Sequence, residues 1–246
     1  MFSMSLRAKC WVTRLGITNK NLPIVTIKFS ASERWREQLT VLRLDILRTN
    51  IDREKAERIM LRYACNMPNF GYAQGNLYVL KPILKVFTKE NDVFWSFARI
   101  MDILNIFGPM NRDVNFRKSG IPAWVTDEFT KHEPDMDMEW LQIAVQLRWL
   151  YIAWGQTCDS LEIQCTLMDY AIRGRLQMYQ LAAAMLRHFY HQLDGEGETM
   201  FKFKTVFEFK ITTLEQASVI IASAATQFPD VIEPENRSRR WRIRPG

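Results

Sequence analysis

Apolar side chains along this chain recur at spacings of three and four. Leu39, Leu42 and Ile46, then Ile59 and Tyr63, then Leu77, Leu80 and Leu84, then Phe94, Phe97, Ile100, Met101 and Leu104 all fall on such stripes. That period marks amphipathic helices with one face turned to a core. The segments 137–154, 158–172 and 174–193 continue it, with Gly155 and Gly174 placed where one helix stops and the next begins. Pro68 and Pro109 sit in loop contexts, Pro122 and Pro134 add further breaks, and Pro82 interrupts an apolar stripe and predicts a kinked buried helix. The first 193 residues therefore read as an all-α domain.

The pattern then changes. Phe201, Phe203, Phe207 and Phe209 alternate with Lys202, Lys204, Glu208 and Lys210 as a half-buried strand would, so a short strand or hairpin stands beside a helix as a reading of 199–212. Residues 213–228 return to a helical pattern. The closing stretch NRSRRWRIRPG carries Arg237, Arg239, Arg240, Arg242 and Arg244 without periodic apolar partners and reads as a flexible basic end. The expected division is one domain over 1–228 and a basic tail over 229–246.

With 246 residues, of which 48 % are hydrophobic, the chain can bury a substantial core. A net charge of +6 favours acidic partner surfaces but lacks the dense Lys/Arg clustering of a nucleic-acid binder. Cys10, Cys65, Cys158 and Cys165 form no CxxC or Cys/His spacing and read as buried free thiols. The opening MFSMSLRAKCWVTR has charges where a signal peptide would be apolar, and no window approaches the roughly 18 apolar residues of a membrane span. A reducing, cytoplasmic compartment is expected.

The chain has no GxxxxGK[ST] loop, GxGxxG turn, HExxH, GxSxG or EF-hand pattern, and is expected to bind no nucleotide, cofactor or metal of its own. His188 and His191 stand three apart on an expected helix, but no nearby carboxylate or thiol completes a ligand set. Asp194, Glu196 and Glu198 alternate with glycines and read as a solvated loop.

Two segments place polar side chains at helix boundaries. In LRLDILRT (42–49), Leu42 and Ile46 would face the core while Asp45 and Arg48, three apart, meet on the other side, where a carboxylate can hold a guanidinium in a bidentate contact. In NFGYAQGN (69–76), Gly71 and Gly75 bracket Tyr72 and Gln74 and allow close backbone approach to a partner.

Together these segments resemble the TBC (Tre-2/Bub2/Cdc16) domain of Rab GTPase-activating proteins, whose signatures are IxxDxxR and YxQ. The first stands here as Leu42-x-x-Asp45-x-x-Arg48 followed by Thr49, the second as Tyr72-Ala73-Gln74 followed by Gly75. SLRAKCW (5–11) is similar to the family's RxxxW helix, ENDVFWSFARIMD (90–102) to its AFW-x-F helix, and 147–172 to its RW…W-D region. Three departures accompany the likeness: a shortened interval between Arg48 and Gln74, Met168-Asp169 in place of the usual W-D, and no counterpart for 199–212.

The resemblance implies a multi-helix fold of two helical subdomains with a less certain C-terminal segment. It also implies a Rab-family partner that brings GTP and Mg²⁺. Arg48 would then be an arginine finger and Gln74 a glutamine finger. Asp45 would orient Arg48, Tyr72 would pack against the GTPase near the nucleotide, and Thr49 and Gly75 would flank the site. The activity implied is GTPase activation in trans in vesicle trafficking, the alternative being a silent adaptor. Peripheral attachment to endomembranes, through the partner or the basic tail, would be consistent with about 1 kcal/mol per well-placed charge.

Overall fold

In a computed structural model of the chain, the residues described are 3–17, 33–66, 72–104, 121–193 and 198–227. The expected tail over 229–246, the loop residues Pro68, Gly71 and Pro109, and the acidic Asp194 and Glu196 lie outside them. The described helices are α1 Met4–Arg14, α2 Glu33–Arg48, α3 Arg53–Asn66, α4 Asn76–Val86, α5 Glu90–Leu104, α6 Asp127–His132, α7 Met138–Val145, α8 Leu161–Ala171, α9 Arg175–Tyr190, α10 Thr199–Glu208 and α11 Leu214–Gln227. The fold is all-α. Among the described residues, extended pairing is confined to one parallel bridge between Cys158 and Ile211.

Capping explains where several helices begin. Ser3, Asp137 and Ser160 each accept a backbone N–H from the first turn of α1, α7 and α8 respectively, satisfying donors that have no partner inside the helix. The Ser160 cap starts α8 three residues after the start of the expected 158–172 segment. The preceding residues are held extended, with the Asp159 N–H donating to the Ile211 carbonyl. The expected 137–154 helix is also shorter. α7 widens into a π-turn over Gln146–Leu150, and Ala153 and Trp154, with φ of 47° and 58°, turn the chain out of the helix.

Helices α2 to α5 pack on one another, as do α8, α9 and α11, and the two groups meet where α4 lies on α8. The shortened stretch after Arg48 is largely helix, because α3 begins after a four-residue link. Its Ile59, Met60 and Tyr63 enter the core, and Tyr63 meets Phe97 of α5 edge to face at 5.0 Å.

Of the two readings open for 199–212, the structure takes the helix, α10. Phe201 is exposed, whereas Thr199, Lys202 and Val206 share a helical stripe and turn inward. Two of these are polar, and both bond to the buried Glu133, whose carboxylate accepts from Thr199 Oγ1 at 2.8 Å and Lys202 Nζ at 2.8 Å. Burial alone would raise the Glu133 pKa, but hydrogen bonds from Lys202, Thr199 and Tyr190 outweigh it and hold the carboxylate below its ordinary value.

α1 is stitched to α8 through a buried charge. Arg7 is 1 % exposed, and its guanidinium donates to Asp169 at 3.0 and 3.1 Å and to Glu162 at 2.8 Å. Burial opposes its charge, yet these carboxylates more than compensate and leave its pKa above the ordinary value. Trp11, one helical turn on, donates its indole N–H to the same Asp169 at 2.6 Å. Met168-Asp169, the departure from W-D, thus keeps the residue that makes the contact, while Met168 lies buried beside it.

Removing one member of a buried charge network leaves the other uncompensated. Asp169→Ala should therefore destabilise the fold by about 3 kcal/mol, and Asp169→Asn, which still offers Trp11 an acceptor, by less. Urea denaturation followed by far-UV circular dichroism measures both.

Candidate functional site

The C-terminal half of α2 divides its faces as its sequence pattern requires. Leu42 and Ile46 are buried in the core, while Arg48 ends the helix with its side chain 73 % exposed. Thr49 closes the helix: its N–H donates to the carbonyls of Asp45 and Ile46, and its hydroxyl donates to the Asp45 carbonyl at 2.8 Å. These bonds satisfy acceptors that the helix end would leave open.

Asp45 is the junction of the site. Its side chain is 12 % exposed, Oδ2 accepts the Tyr72 hydroxyl at 2.7 Å, and Oδ1 lies 3.9 Å from Nη1 of Arg48. The expected bidentate pairing of Asp45 with Arg48 is thus a single long contact. The carboxylate spends its short hydrogen bond on Tyr72 instead.

Tyr72 is only 6 % exposed, so its ring belongs to the core and not to the outer face expected for partner packing. Its N–H donates to Gln38 Oε1 at 3.3 Å and its hydroxyl reaches Asp45. Gln38 and Asp45 are separated by two turns of α2. The residue therefore lies along α2 and runs toward the end that carries Arg48.

Two residues later the chain makes a tight turn, with the Asn76 N–H donating to the Ala73 carbonyl at 3.2 Å. Gln74 is exposed at this turn, and Gly75 follows with φ 104° and ψ −22°. That left-handed third position is one type II turns require and L side chains rarely adopt. Space demands glycine as well, because a Cβ there would stand 2.7 Å from Cγ2 of Ile152. Immediately after, the buried Asn76 accepts the Tyr151 hydroxyl at 2.8 Å, tying the start of α4 to the chain that follows the π-turn.

The structure thus leaves Arg48 and Gln74 exposed and holds Asp45 and Tyr72 largely buried, joined to each other. Sequence reasoning missed Gln38, Asn76, Tyr151 and Ile152, which hold this unit in place. Gly75 was the one signal pointing at them, since an obligatory glycine beside a functional side chain implies a close neighbour.

Elsewhere, His132 stacks on Tyr190 with ring centroids 5.0 Å apart, and His188 Nε2 lies 2.8 Å from Gln192 Nε2. No group of three or more His, Cys, Asp or Glu among the described residues is arranged to hold a metal. None of the described helices is long and apolar enough to cross a membrane. Cys10, Cys158 and Cys165 are free thiols, and burial pushes Cys158 and Cys165 up to about 12.

The solved crystal structure of the Chlamydomonas flagellar RabGAP TBC domain has the same fold, with a TM-score of 0.64 at 17 % identity, covering 91 % of this chain and 80 % of that one. The family model of the Rab-GTPase-TBC domain matches residues 4–193, and the chain belongs to that family. It is also similar to human TBC1 domain family member 16, at 28 % identity over 144 residues. The aligned stretch is 52 % of this chain and 19 % of that protein.

Burial, followed by the hydrogen bond to and charge of Asp45, holds the Tyr72 phenol well above its ordinary value of 10.0. Burial, followed by the neighbouring Tyr63, does the same to Tyr151. Both folded pKa values are raised, so their contribution to stability is complete below the ordinary value and declines as pH rises above it. Unfolding free energy should therefore fall as pH climbs beyond 10.0, with two tyrosines ionising only as the chain unfolds. Tyrosinate absorbance set against circular dichroism checks this. Gly75→Ala should cost at least about 1 kcal/mol from backbone strain alone, with the Ile152 contact adding to it, and thermal melting measures the loss.

Proposed function

We propose that this domain accelerates GTP hydrolysis on a Rab-family GTPase by lending it Arg48 and Gln74. The observation that carries the reading is the Asp45–Tyr72 hydrogen bond, which links the end of α2, where exposed Arg48 stands beside Asp45, to the segment in which exposed Gln74 follows Tyr72 by two residues. Membership of the Rab-GTPase-TBC domain family supports the class of partner.

GTP and Mg²⁺ arrive with the GTPase. Water attacks the γ-phosphorus, the bond to the bridging oxygen breaks, and GDP leaves as negative charge spreads over the transferring group. Arg48 meets that charge in a site from which water is excluded, where an arginine supplied in trans is worth about 10³–10⁵ in rate. The Gln74 carboxamide carbonyl accepts a hydrogen bond from the attacking water and keeps it in line. Asp45 and Tyr72 act from below as positioning residues. Val41, Leu44 and Leu47 are exposed on α2 beside Arg48, and this apolar edge supplies docking surface. The domain works in the cytoplasm on trafficking membranes, which it reaches through its partner or its basic tail.

Single-turnover hydrolysis on a panel of GTP-loaded Rabs tests the reading. Arg48→Ala should lower the saturating rate by on the order of 10³ while leaving thermal stability unchanged, since the side chain is exposed. Arg48→Lys should be almost as slow, because an ammonium lacks the guanidinium fork. Gln74→Ala should retain part of the activity, the GTPase's own glutamine re-entering. Leu44→Lys should raise the concentration for half-maximal stimulation several-fold at an unchanged saturating rate, roughly 1 kcal/mol of docking. Rab binding without acceleration would identify a silent adaptor instead.

A further inference from the structure

Gln164 sits in α8, far along the chain from Arg48 and Gln74, and is 3 % exposed. A buried carboxamide must find hydrogen-bond partners. The Nε2 of Gln164 donates to two backbone carbonyls, that of Tyr78 at 3.0 Å and that of Ala153 at 2.9 Å. Both neighbours are acceptors, so the amide nitrogen must face them.

Each carbonyl has its own reason to need an outside donor. In a helix, the Tyr78 carbonyl would take the N–H of residue 82, but residue 82 of α4 is proline and has none. Ala153 lies where the backbone turns left-handed, with φ of 47° there and 58° at Trp154, so its carbonyl leaves the helical ladder. One side chain therefore bridges the first turn of α4 to the turn that follows the π-turn. Around that bridge, Gly155 is close enough to Tyr78 that a Cβ would fall 2.5 Å from the tyrosine Cβ, and Ile152 of the same turn bears on Gly75.

We infer that Gln164 is a positioning residue for Gln74, fixing the base from which the carboxamide projects by supplying the hydrogen bond that Pro82 removes from α4. The inference rests on the role of Gln74 proposed above. Gln164 touches neither GTP nor the GTPase and acts only through the backbone that carries Gln74.

The experiment uses whichever GTP-loaded Rab the parent chain accelerates most. Gln164→Met keeps the length and bulk of the side chain without its donors. The saturating rate should drop by on the order of tenfold while the half-saturating concentration stays unchanged, the mark of lost alignment and not of lost docking. In a Gln74→Ala background the same substitution should change the saturating rate by less than about twofold, because the group it aligns is gone. Pro82→Ala restores an N–H opposite the Tyr78 carbonyl and should recover part of the Gln164→Met loss. The doubly substituted chain also serves as the folded test protein if Gln164→Met alone fails to fold.

Equal rate losses in the parent and Gln74→Ala backgrounds would overturn the inference, since a merely structural role predicts them. A saturating rate untouched by Gln164→Met would overturn it too. Both results leave the wider reading standing so long as Arg48→Ala still abolishes stimulation. A parent chain that accelerates no Rab of the panel overturns the reading and the inference together.

Discussion

The hydrogen bond from the Tyr72 hydroxyl to Asp45, 2.7 Å long, joins two parts of the chain that nothing local would bring together. One end belongs to the last turns of α2, the other to the segment that leads into α4. Asp45 is 12 % exposed and Tyr72 6 %, so the bond forms where a lost partner would be costly. Its consequence is geometric: fixing Tyr72 along α2 fixes where the turn carrying Gln74 leaves the core. The proposed chemistry depends on that relation between α2 and the turn, since a displacement of about 1 Å can cost two orders of magnitude in rate.

The turn itself is held from the opposite side by a layer of unusual backbone. The π-turn over Gln146–Leu150 and the left-handed Ala153 and Trp154 are conformations that need support from their surroundings. They bring Tyr151 to Asn76 and Ile152 against Gly75. The irregular stretch thus gives α4 a shaped seat that a continuous helix through 154 would not provide.

Much of this was legible in the sequence, and the failures share a cause. The stripes of three and four located α2, α3, α4, α5, α8 and α9, because in those helices the buried face is mostly apolar. α10 stayed open between strand and helix because its inward stripe includes Thr199 and Lys202, which are stabilised by Glu133 from a distant part of the chain. Asp45, Arg48, Tyr72 and Gln74 were singled out by their resemblance to the two family signatures, but the core position of Tyr72 could not be read that way. A phenol that serves the interior and one that greets a partner look alike in sequence. Gln164 was invisible for the same reason, as the two carbonyls it meets are defined only once a proline and a left-handed turn are brought together.

Two arginines differ sharply in how the fold holds them. Arg7 is sealed from water and held at 2.8 to 3.1 Å by two carboxylates, an arrangement in which removing a partner strands a buried charge. Arg48 is exposed and stands 3.9 Å from one carboxylate, a contact of the kind worth about 0–1 kcal/mol in water. The first cannot be moved without loosening α1 from α8. In the proposed reaction the second would exchange its weak contact for the charge on a transferring phosphoryl group at almost no expense. That asymmetry favours Arg48 as the residue that acts, because a group engaged as tightly as Arg7 in the ground state would have to give up more than the transition state could return.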